Sequence, residues 1–196
     1  MGYIFFLMGK SASGKDTIYK KLLQRKDLHL KRVIPYTTRP IRSGEKNGVD
    51  YFFCTEDMAR QMEQEGRIIE LRAYHTIHGV WKYFTADDGQ VDFQDTASYL
   101  MIGTLESYNQ IRAFYGSDRL VPLLIEVEDG LRLSRALERE RTQTTPKYAE
   151  LCRRFLADEK DFSPENIRQA EITRTFVNEN LNETVEIIAD YMKGYF

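Results

Sequence analysis

The sequence predicts an α/β fold in which a parallel β-sheet carries helices on both faces, giving three layers. Short, strongly apolar segments such as 3–8 and 120–127 alternate along the chain with segments whose apolar residues recur every three or four positions. The first kind is typical of strands buried on both faces, and the second of amphipathic helices. Strands that alternate with helices favour a parallel sheet. The 196 residues fit one domain with a substantial core.

The predicted core elements follow in order from the N-terminus. A strand over Tyr3–Met8 leads through a glycine-containing turn into a helix over Thr17–Lys26, where Ile18 and Leu22 lie one turn apart. The later core elements are a strand at Ser98–Ile102, a helix at Leu105–Tyr115, a strand at Leu120–Val127, a helix at Asp129–Arg141, a strand at Thr173–Val177 and a last helix that aligns Leu181, Val185, Ile188 and Met192.

Two stretches interrupt this alternation and are predicted to be insertions on the core. Residues 34–84 contain strand-like pieces at Val49–Phe53 and Arg67–Ala73 and a helix near Glu56–Glu65, whereas residues 138–165 are helical and dense in charge. We therefore expect a single domain whose core comprises residues 1–33, 85–137 and 166–196.

Composition and charge narrow the function classes. The net charge of -2 gives no bulk basic character, so nucleic acid is not an expected partner. The two cysteines, Cys54 and Cys152, lack metal-ligand spacing and suit a reducing compartment. The apolar segment at the N-terminus is too short for a signal peptide or a membrane span. These observations predict a cytoplasmic protein without a membrane partner.

A phosphate-binding loop follows the first predicted strand. The pattern Gly-x-x-x-x-Gly-Lys is met by Gly9, Gly14 and Lys15. Glycines let successive backbone N–H groups point at phosphates, the following helix adds its positive end, and the lysine reaches the outer phosphates. The residues predicted to bind a nucleoside triphosphate here are Gly9, Ser11, Ala12, Ser13, Gly14, Lys15, Asp16 and Thr17.

Asp16 departs from the loop pattern, which places a serine or threonine after the lysine as a magnesium ligand. Two interpretations stay open from the residue alone. Asp16 is either an acid favoured by the helix dipole or a carboxylate of the metal site, acting directly or through water.

Residues 37–54 closely resemble guanylate kinases. They include Thr-Thr-Arg-Pro-Ile-Arg-Ser-Gly-Glu and Gly-Val-Asp-Tyr-Phe-Phe, and they meet every fixed position of the family pattern T-T-R-x-x-R-x-G-E-x-x-G-x-D-Y-x-F. The resemblance extends unevenly over the chain. It implies a P-loop nucleoside-monophosphate kinase fold and transfer of the γ-phosphoryl group of ATP to GMP, with Mg²⁺.

The resemblance also implies an acceptor-binding region at 34–84. Arg39 and Arg42 are three residues apart and could converge on one acceptor phosphate, to which Tyr51 could donate its phenol. Glu70 could accept two N–H bonds from a guanine edge. His78 stands where the family has a phosphate-contacting tyrosine.

The charged stretch 138–165 corresponds to the lid of these kinases. Such transfer depends on positioning and charge stabilisation, which mobile arginines can supply. The alignment favours Arg154, with Arg135 and Arg141 as further candidates, and it places Asn178 where the family contacts adenine. The predicted catalytic residues are Lys15, Arg39, Arg135, Arg141 and Arg154.

Three departures from the family pattern bear on the acceptor and the metal. Pro35 replaces a base-contacting serine, and Val80 replaces a base-contacting hydroxyl residue. Ile102 and Thr104 replace two strand acids, the first of which supports magnesium in the family. We hypothesise that Asp16 has taken over the role of that acid.

Three functions remain open from the sequence. The leading one is a guanylate kinase. A related kinase could instead use another nucleoside monophosphate or a ribose bisphosphate, or the chain could be a non-catalytic binding module of the same fold. The oligomeric state, monomer or homodimer, also stays open.

Overall fold

The computed structural model describes residues 2–76, 79–94 and 97–196. In chain order the elements of these residues are β1 (Ile4–Gly9), α1 (Lys15–Leu23), a 3₁₀ turn (Lys26–Leu28), β2 (Leu30–Arg32), β3 (Tyr36–Thr37), β4 (Phe52–Phe53), α2 (Glu56–Gln64), β5 (Ile68–Thr76), β6 (Gly79–Ala86), β7 (Ser98–Ile102), α3 (Leu105–Tyr115), β8 (Leu120–Glu126), α4 (Asp129–Arg141), α5 (Tyr148–Asp161), α6 (Pro164–Gln169), β9 (Thr175–Val177) and α7 (Leu181–Lys193).

A five-stranded parallel sheet forms the centre, with the strand order β2-β7-β1-β8-β9. All six residues of β1 are buried, and Phe5 lies between Leu100 of β7 and Val121 of β8. A central parallel strand has both faces covered, which explains why this segment is apolar throughout. The predicted α/β fold class is confirmed.

The two faces of the sheet bury different helices. Phe6 and the other even-numbered side chains of β1 pack with Tyr108 and Ile111 of α3. Phe5 and Leu7 face the opposite way and pack with residues of α1 and α7, including Leu22 and Ile188. Since successive strand side chains point to opposite faces, one apolar strand supports both helical layers.

A second sheet, with the order β4-β3-β6-β5, forms most of the region between residues 36 and 86. The predicted strand at 49–53 is shorter than expected, because residues 46–50 turn back on themselves and only Phe52–Phe53 pair with β3. The long β5–β6 hairpin adds a strand, Gly79–Ala86, that the sequence analysis did not predict. This sheet therefore extends two residues beyond the predicted limit of 84.

The charged stretch 138–165 contains the end of α4, the whole of α5 and the start of α6. Helix α4 ends at Arg141, Pro146 lies in the following irregular segment, and α5 begins at Tyr148. Pro146 explains the break between the helices, because proline has no backbone N–H to donate and disfavours a helical conformation of the residue before it. Within the described residues, no helix has the length and apolar content needed to cross a bilayer.

Candidate active site

The loop between β1 and α1 requires glycine at two positions. A Cβ on Gly9 would lie 2.6 Å from the carbonyl oxygen of Ile125. Gly14 has a φ of 86°, and a Cβ there would lie 2.4 Å from Nδ2 of Asn178. A side chain at either position would therefore force the loop away from its neighbours.

The side chain of Asn178 supports the phosphate loop. Its Nδ2 donates a 2.8 Å hydrogen bond to the carbonyl oxygen of Ser13, and its side chain is buried. The amide is thus turned to the loop backbone beneath Gly14, and the adenine contact implied for Asn178 stays a prediction. Asn178 Oδ1 and Ser13 Oγ are buried polar atoms without a partner in the described structure.

Lys15 and Asp16 open α1 at the other end of the loop. Both line a cavity of about 340 Å³. Neither side chain forms a hydrogen bond or ion pair with another described residue. The start of the helix adds its own partial positive charge, so this mouth of the cavity suits an anion.

The cavity extends from the loop to the second sheet. Its walls come from α1, the segment after β2, the turn at 45–51, the β5–β6 hairpin and the end of β7. The residues that line it are Lys15, Asp16, Tyr19, Lys20, Arg32, Val33, Pro35, Glu45, Val49, Asp50, Tyr51, Arg72, Tyr83, Ile102, Gly103 and Thr104.

Arg39 pairs with Glu45, six residues further along the chain. Its guanidinium is buried and donates to both carboxylate oxygens of Glu45, at 2.7 and 2.6 Å, and through Nε to the Tyr83 hydroxyl. The Arg42 side chain is exposed, and its backbone N–H donates to Glu45. With Glu45 bonded to Arg39, the convergence of Arg39 and Arg42 on an acceptor phosphate stays a prediction.

This pairing changes the acid–base behaviour of Glu45. The hydrogen bonds from Arg39 lower the pKa of the Glu45 carboxyl to about 2. In turn, the hydrogen bonds to Glu45 raise the pKa of the Arg39 guanidinium. The pair therefore stays ionised at neutral pH.

Tyr51 remains available to a ligand in the cavity. Its ring packs edge-on against Tyr83 and Phe53, and the Arg39 guanidinium lies 5.1 Å from its centroid. Burial raises the pKa of the Tyr51 phenol, so the group keeps its proton and can donate it in a hydrogen bond.

Glu70 is buried at the inner end of the site. Its Oε2 accepts from Arg72 Nε at 2.9 Å, and its Oε1 accepts from Arg72 Nη2 and from the Thr85 hydroxyl. Arg72 lines the cavity in front of it. His78, the remaining predicted acceptor contact, lies outside the described residues.

The three predicted arginines of the α4–α5 region lie in different environments. Arg135 donates to the backbone oxygen of Asn178 at 3.3 Å, which places it beside the phosphate loop. Arg154 pairs with Glu150 and lines a small pocket that reaches Ser11. Arg141 is exposed at the end of α4. Their catalytic roles stay predictions.

The sequence analysis missed Arg132, a fully buried cation of this region. It pairs with Asp129, Asp158 and Glu159, and its guanidinium lies 4.0 Å from the Phe155 ring centroid. Asp158 also accepts the Ser11 backbone N–H at 2.8 Å, so α5 is bonded to the phosphate loop. The regular apolar spacing around 132 could not indicate a buried charge, because two of its partners, Asp158 and Glu159, lie 26 and 27 residues away in the sequence.

Comparisons with known proteins point to one family. The family model for guanylate kinase matches residues 2–81. The chain is similar to the guanylate kinase of Wolbachia pipientis wMel, with 26% identity over 97% of this chain and 89% of that protein. It is also similar to that of Thermotoga maritima, with 28% identity over 98% and 87%. Over nearly its whole length the chain is thus similar in sequence to guanylate kinases, at 26–28% identity.

The similarity to guanylate kinases is strongest in a limited part of the chain. The enzyme of Oceanobacillus iheyensis is 40% identical over 73 residues, which is 37% of this chain and 35% of that protein. A crystal structure of guanylate kinase from Anaplasma phagocytophilum matches with a TM-score of 0.64 and 20% identity, covering 99% of this chain and 86% of that one. This structural match supports the fold.

The departures from the guanylate kinase pattern have structural counterparts. Ile102 and Thr104 lie at the cavity where the family pattern has acids, and Thr104 instead caps α3 by accepting the Ser107 N–H. Pro35 lines the cavity without a hydroxyl group. The cavity wall thus lacks the strand acids of the family pattern. Asp16 is the acid that the phosphate loop contributes to this cavity.

Proposed function

We propose that the protein transfers the γ-phosphoryl group of ATP to GMP, giving ADP and GDP. The observation that carries this proposal is the single cavity that joins Lys15 and Asp16 of the phosphate loop to Tyr51 and Arg72 of the second sheet. A donor anion and a phosphorylated acceptor can therefore lie side by side within one enclosure. The sequence similarity to guanylate kinases supports the same activity.

The chain's own residues supply binding and charge stabilisation. The loop backbone and the start of α1 bind the phosphates of ATP, and Lys15 stabilises negative charge on the outer ones. Tyr51 donates to the acceptor phosphate, and the exposed Arg42 is a second predicted donor to it. The acceptor oxygen attacks the γ-phosphorus in line, and no covalent enzyme intermediate is needed.

The residues at the mouth of the cavity fit a magnesium ion carried by the nucleotide. Magnesium in kinases is bound by phosphates, water and one or two carboxylates, and Asp16 offers such a carboxylate without a competing ion pair. When bound, the ion neutralises charge on the phosphates. Asp16 holds it directly or through water.

We also propose functions for the two insertions. The second sheet and its loops, residues 34–84, form the acceptor-binding region, with Arg39 keeping Glu45 and Tyr83 in place. Residues 138–165 form the lid, from which Arg154 faces the loop. Closure of such a lid would exclude water from the transfer. We propose that the protein acts in the cytoplasm.

A second acceptor class is favoured by one observation. The Glu70 carboxylate is already bonded to Arg72 and Thr85, so a cation rather than an anion faces the cavity. Such a cation would also suit the second phosphate of a ribose bisphosphate. Intact Gly9, Gly14 and Lys15 argue against a non-catalytic binding module.

Initial rates of ADP formation test the proposal. The purified chain is assayed with ATP, Mg²⁺ and, in turn, GMP, dGMP, AMP and ribose 1,5-bisphosphate, and the product is identified by ³¹P NMR. We expect the highest kcat/KM with GMP. Faster turnover of the ribose bisphosphate would replace the proposed acceptor, and tight ATP binding without turnover of any of the four would indicate a binding module.

A further inference from the structure

Glu70 has little bonding capacity left for a ligand. An ionised carboxylate offers about four lone-pair positions. Two are taken by the fork of Arg72 and a third by the Thr85 hydroxyl. The Glu70 side chain is only 1% exposed, so it faces protein on nearly every side. A ligand that reached this end of the site would meet Arg72 before it met Glu70.

Arg72 has donors to spare. A guanidinium carries five N–H groups, of which Nε and one on Nη2 bond to Glu70. Tyr74 is a further partner on the outer side. The side chain is 14% exposed and lines both the 340 Å³ cavity and the narrow inner pocket next to Glu70. The ion pair with Glu70 holds the planar group in one orientation.

The rest of the inner pocket offers almost no donors. Phe6, Val33, Pro35, Met101 and Ile102 are apolar or lack an N–H or hydroxyl group in their side chains. The two hydroxyl residues are engaged. Thr85 donates to Glu70, and the Ser107 hydroxyl bonds within the cap of α3. Among the described residues that line this pocket, Arg72 is therefore the source of free N–H donors.

We propose that Arg72 is a specificity-determining residue that binds the carbonyl edge of a 6-oxopurine, with Glu70 as the residue that orients it. This inference rests on the proposed function, since it assumes a nucleotide acceptor. Arginine that donates two bonds to O6 and N7 is the commonest specific contact with guanine. An adenine edge places an amino group at the same position, so two donors would meet and one would stay unpaired.

A second consequence concerns the 2-amino group of guanine. That group would need a carboxylate acceptor, and the oxygens of Glu70 are largely occupied by Arg72 and Thr85. The protein should therefore accept GMP and IMP with similar KM values, and reject AMP. Recognition of the 6-oxo group matters more in this arrangement than recognition of the 2-amino group.

The test uses the full chain, with KM and kcat measured for GMP, IMP and AMP and direct binding of each nucleotide measured by calorimetry. Arg72→Ala is expected to raise KM for GMP and IMP together by about 10- to 100-fold, with kcat nearly retained. Arg72→Lys should restore part of the affinity, since an ammonium donates to one acceptor rather than two. Arg60→Ala, an exposed arginine on α2, is the matched control.

Arg72→Ala leaves Glu70 without its ion-pair partner and could unfold the sheet. The double variant Glu70→Gln/Arg72→Met removes both charges and keeps the volume. It is expected to fold and to show the same rise in KM for GMP and IMP. Circular dichroism and thermal melting establish folding before any kinetic comparison.

Four results would overturn the inference. They are an IMP KM more than roughly 100-fold above that of GMP in the wild type, an unchanged GMP KM in a folded Arg72 variant, equal binding of AMP and GMP, and an Arg72-dependent preference for ribose 1,5-bisphosphate. Failure of the proposed function is seen separately, because the wild type would then phosphorylate neither GMP nor IMP.

Discussion

The two ends of the cavity differ in whether their charged side chains are paired with other residues. At the phosphate loop, Lys15 and Asp16 have no side-chain partner among the described residues. In the second sheet, Arg39 is paired with Glu45 and Arg72 with Glu70 before any ligand arrives. The loop end is open to an anion and attracts it by charge. The acceptor end has its charges balanced, so it selects by hydrogen-bond geometry and shape.

This difference predicts that single substitutions at the two ends fail for different reasons. At the loop, a lost charge should impair turnover while leaving the fold intact. In the second sheet, a lost charge exposes its buried partner, so stability should fall first.

The largest effect is expected for Lys15→Met. Loss of the charge that stabilises the outer phosphates should lower kcat/KM by about 100- to 1000-fold, with little change in the thermal melting temperature. Initial rates with ATP and GMP measure it. Lys26→Met, in the 3₁₀ turn away from the cavity, is the control and should retain wild-type activity. Equal activity of the two variants would contradict the assigned role of Lys15.

The next effect is on stability. Glu45→Gln removes the partner of the buried Arg39 and should lower the free energy of unfolding by about 3 kcal/mol in urea titrations. The exposed pair between Arg153 and Glu150 provides the contrast, since Glu150→Gln should cost less than about 1 kcal/mol. Similar losses for the two variants would show that the buried pair of the second sheet stabilises the fold no more than the exposed pair does.

Asp16→Ser tests the metal role of the loop acid. If Asp16 holds magnesium directly or through water, the apparent magnesium affinity should fall roughly tenfold in rate titrations at fixed ATP. Asp50→Ser, which lines the far side of the same cavity, is the matched control. Unchanged magnesium dependence and turnover in Asp16→Ser would show that the residue serves the helix dipole alone.

The smallest effect is a pH dependence. The folded-state pKa of Glu45, at about 2, lies below its ordinary value of 4.5. Its stabilising contribution is therefore complete above pH 4.5 and is lost as the pH falls towards 2. Unfolding free energies measured from pH 6 to pH 3 should converge for the wild type and Glu45→Gln as the pH falls. Parallel curves would contradict the lowered pKa.

The sequence predicted the core elements well because each carries its own pattern. Strand β7 and helices α3 and α4 have the predicted bounds, since apolar runs and helical periodicity are local properties. Strands β2 and β3 are too short for any period to show. Strand β6 mixes apolar and polar residues without strict alternation, and its pairing with β5 fixes it instead.

The residues of the candidate site also differ in whether the sequence alone could predict their roles. The phosphate loop is contiguous, so its residues could be predicted together. Glu45 stands inside the recognised segment, yet nothing in the spacing shows that it pairs with Arg39. The roles of Arg72 and Arg132 depend on partners brought together by the sheet and by α5, and the sequence alone does not show which charges become buried.

The hydrogen bond from Asn178 to Ser13 has a consequence for biosynthesis. The two residues are 165 positions apart, and Asn178 follows the edge strand β9. A chain that emerges from the ribosome N-terminus first exposes the loop sequence well before Asn178, so the support beneath Gly14 exists only after translation has passed a residue 165 positions beyond Ser13. The nucleotide site is thus completed only when this distant segment joins the loop.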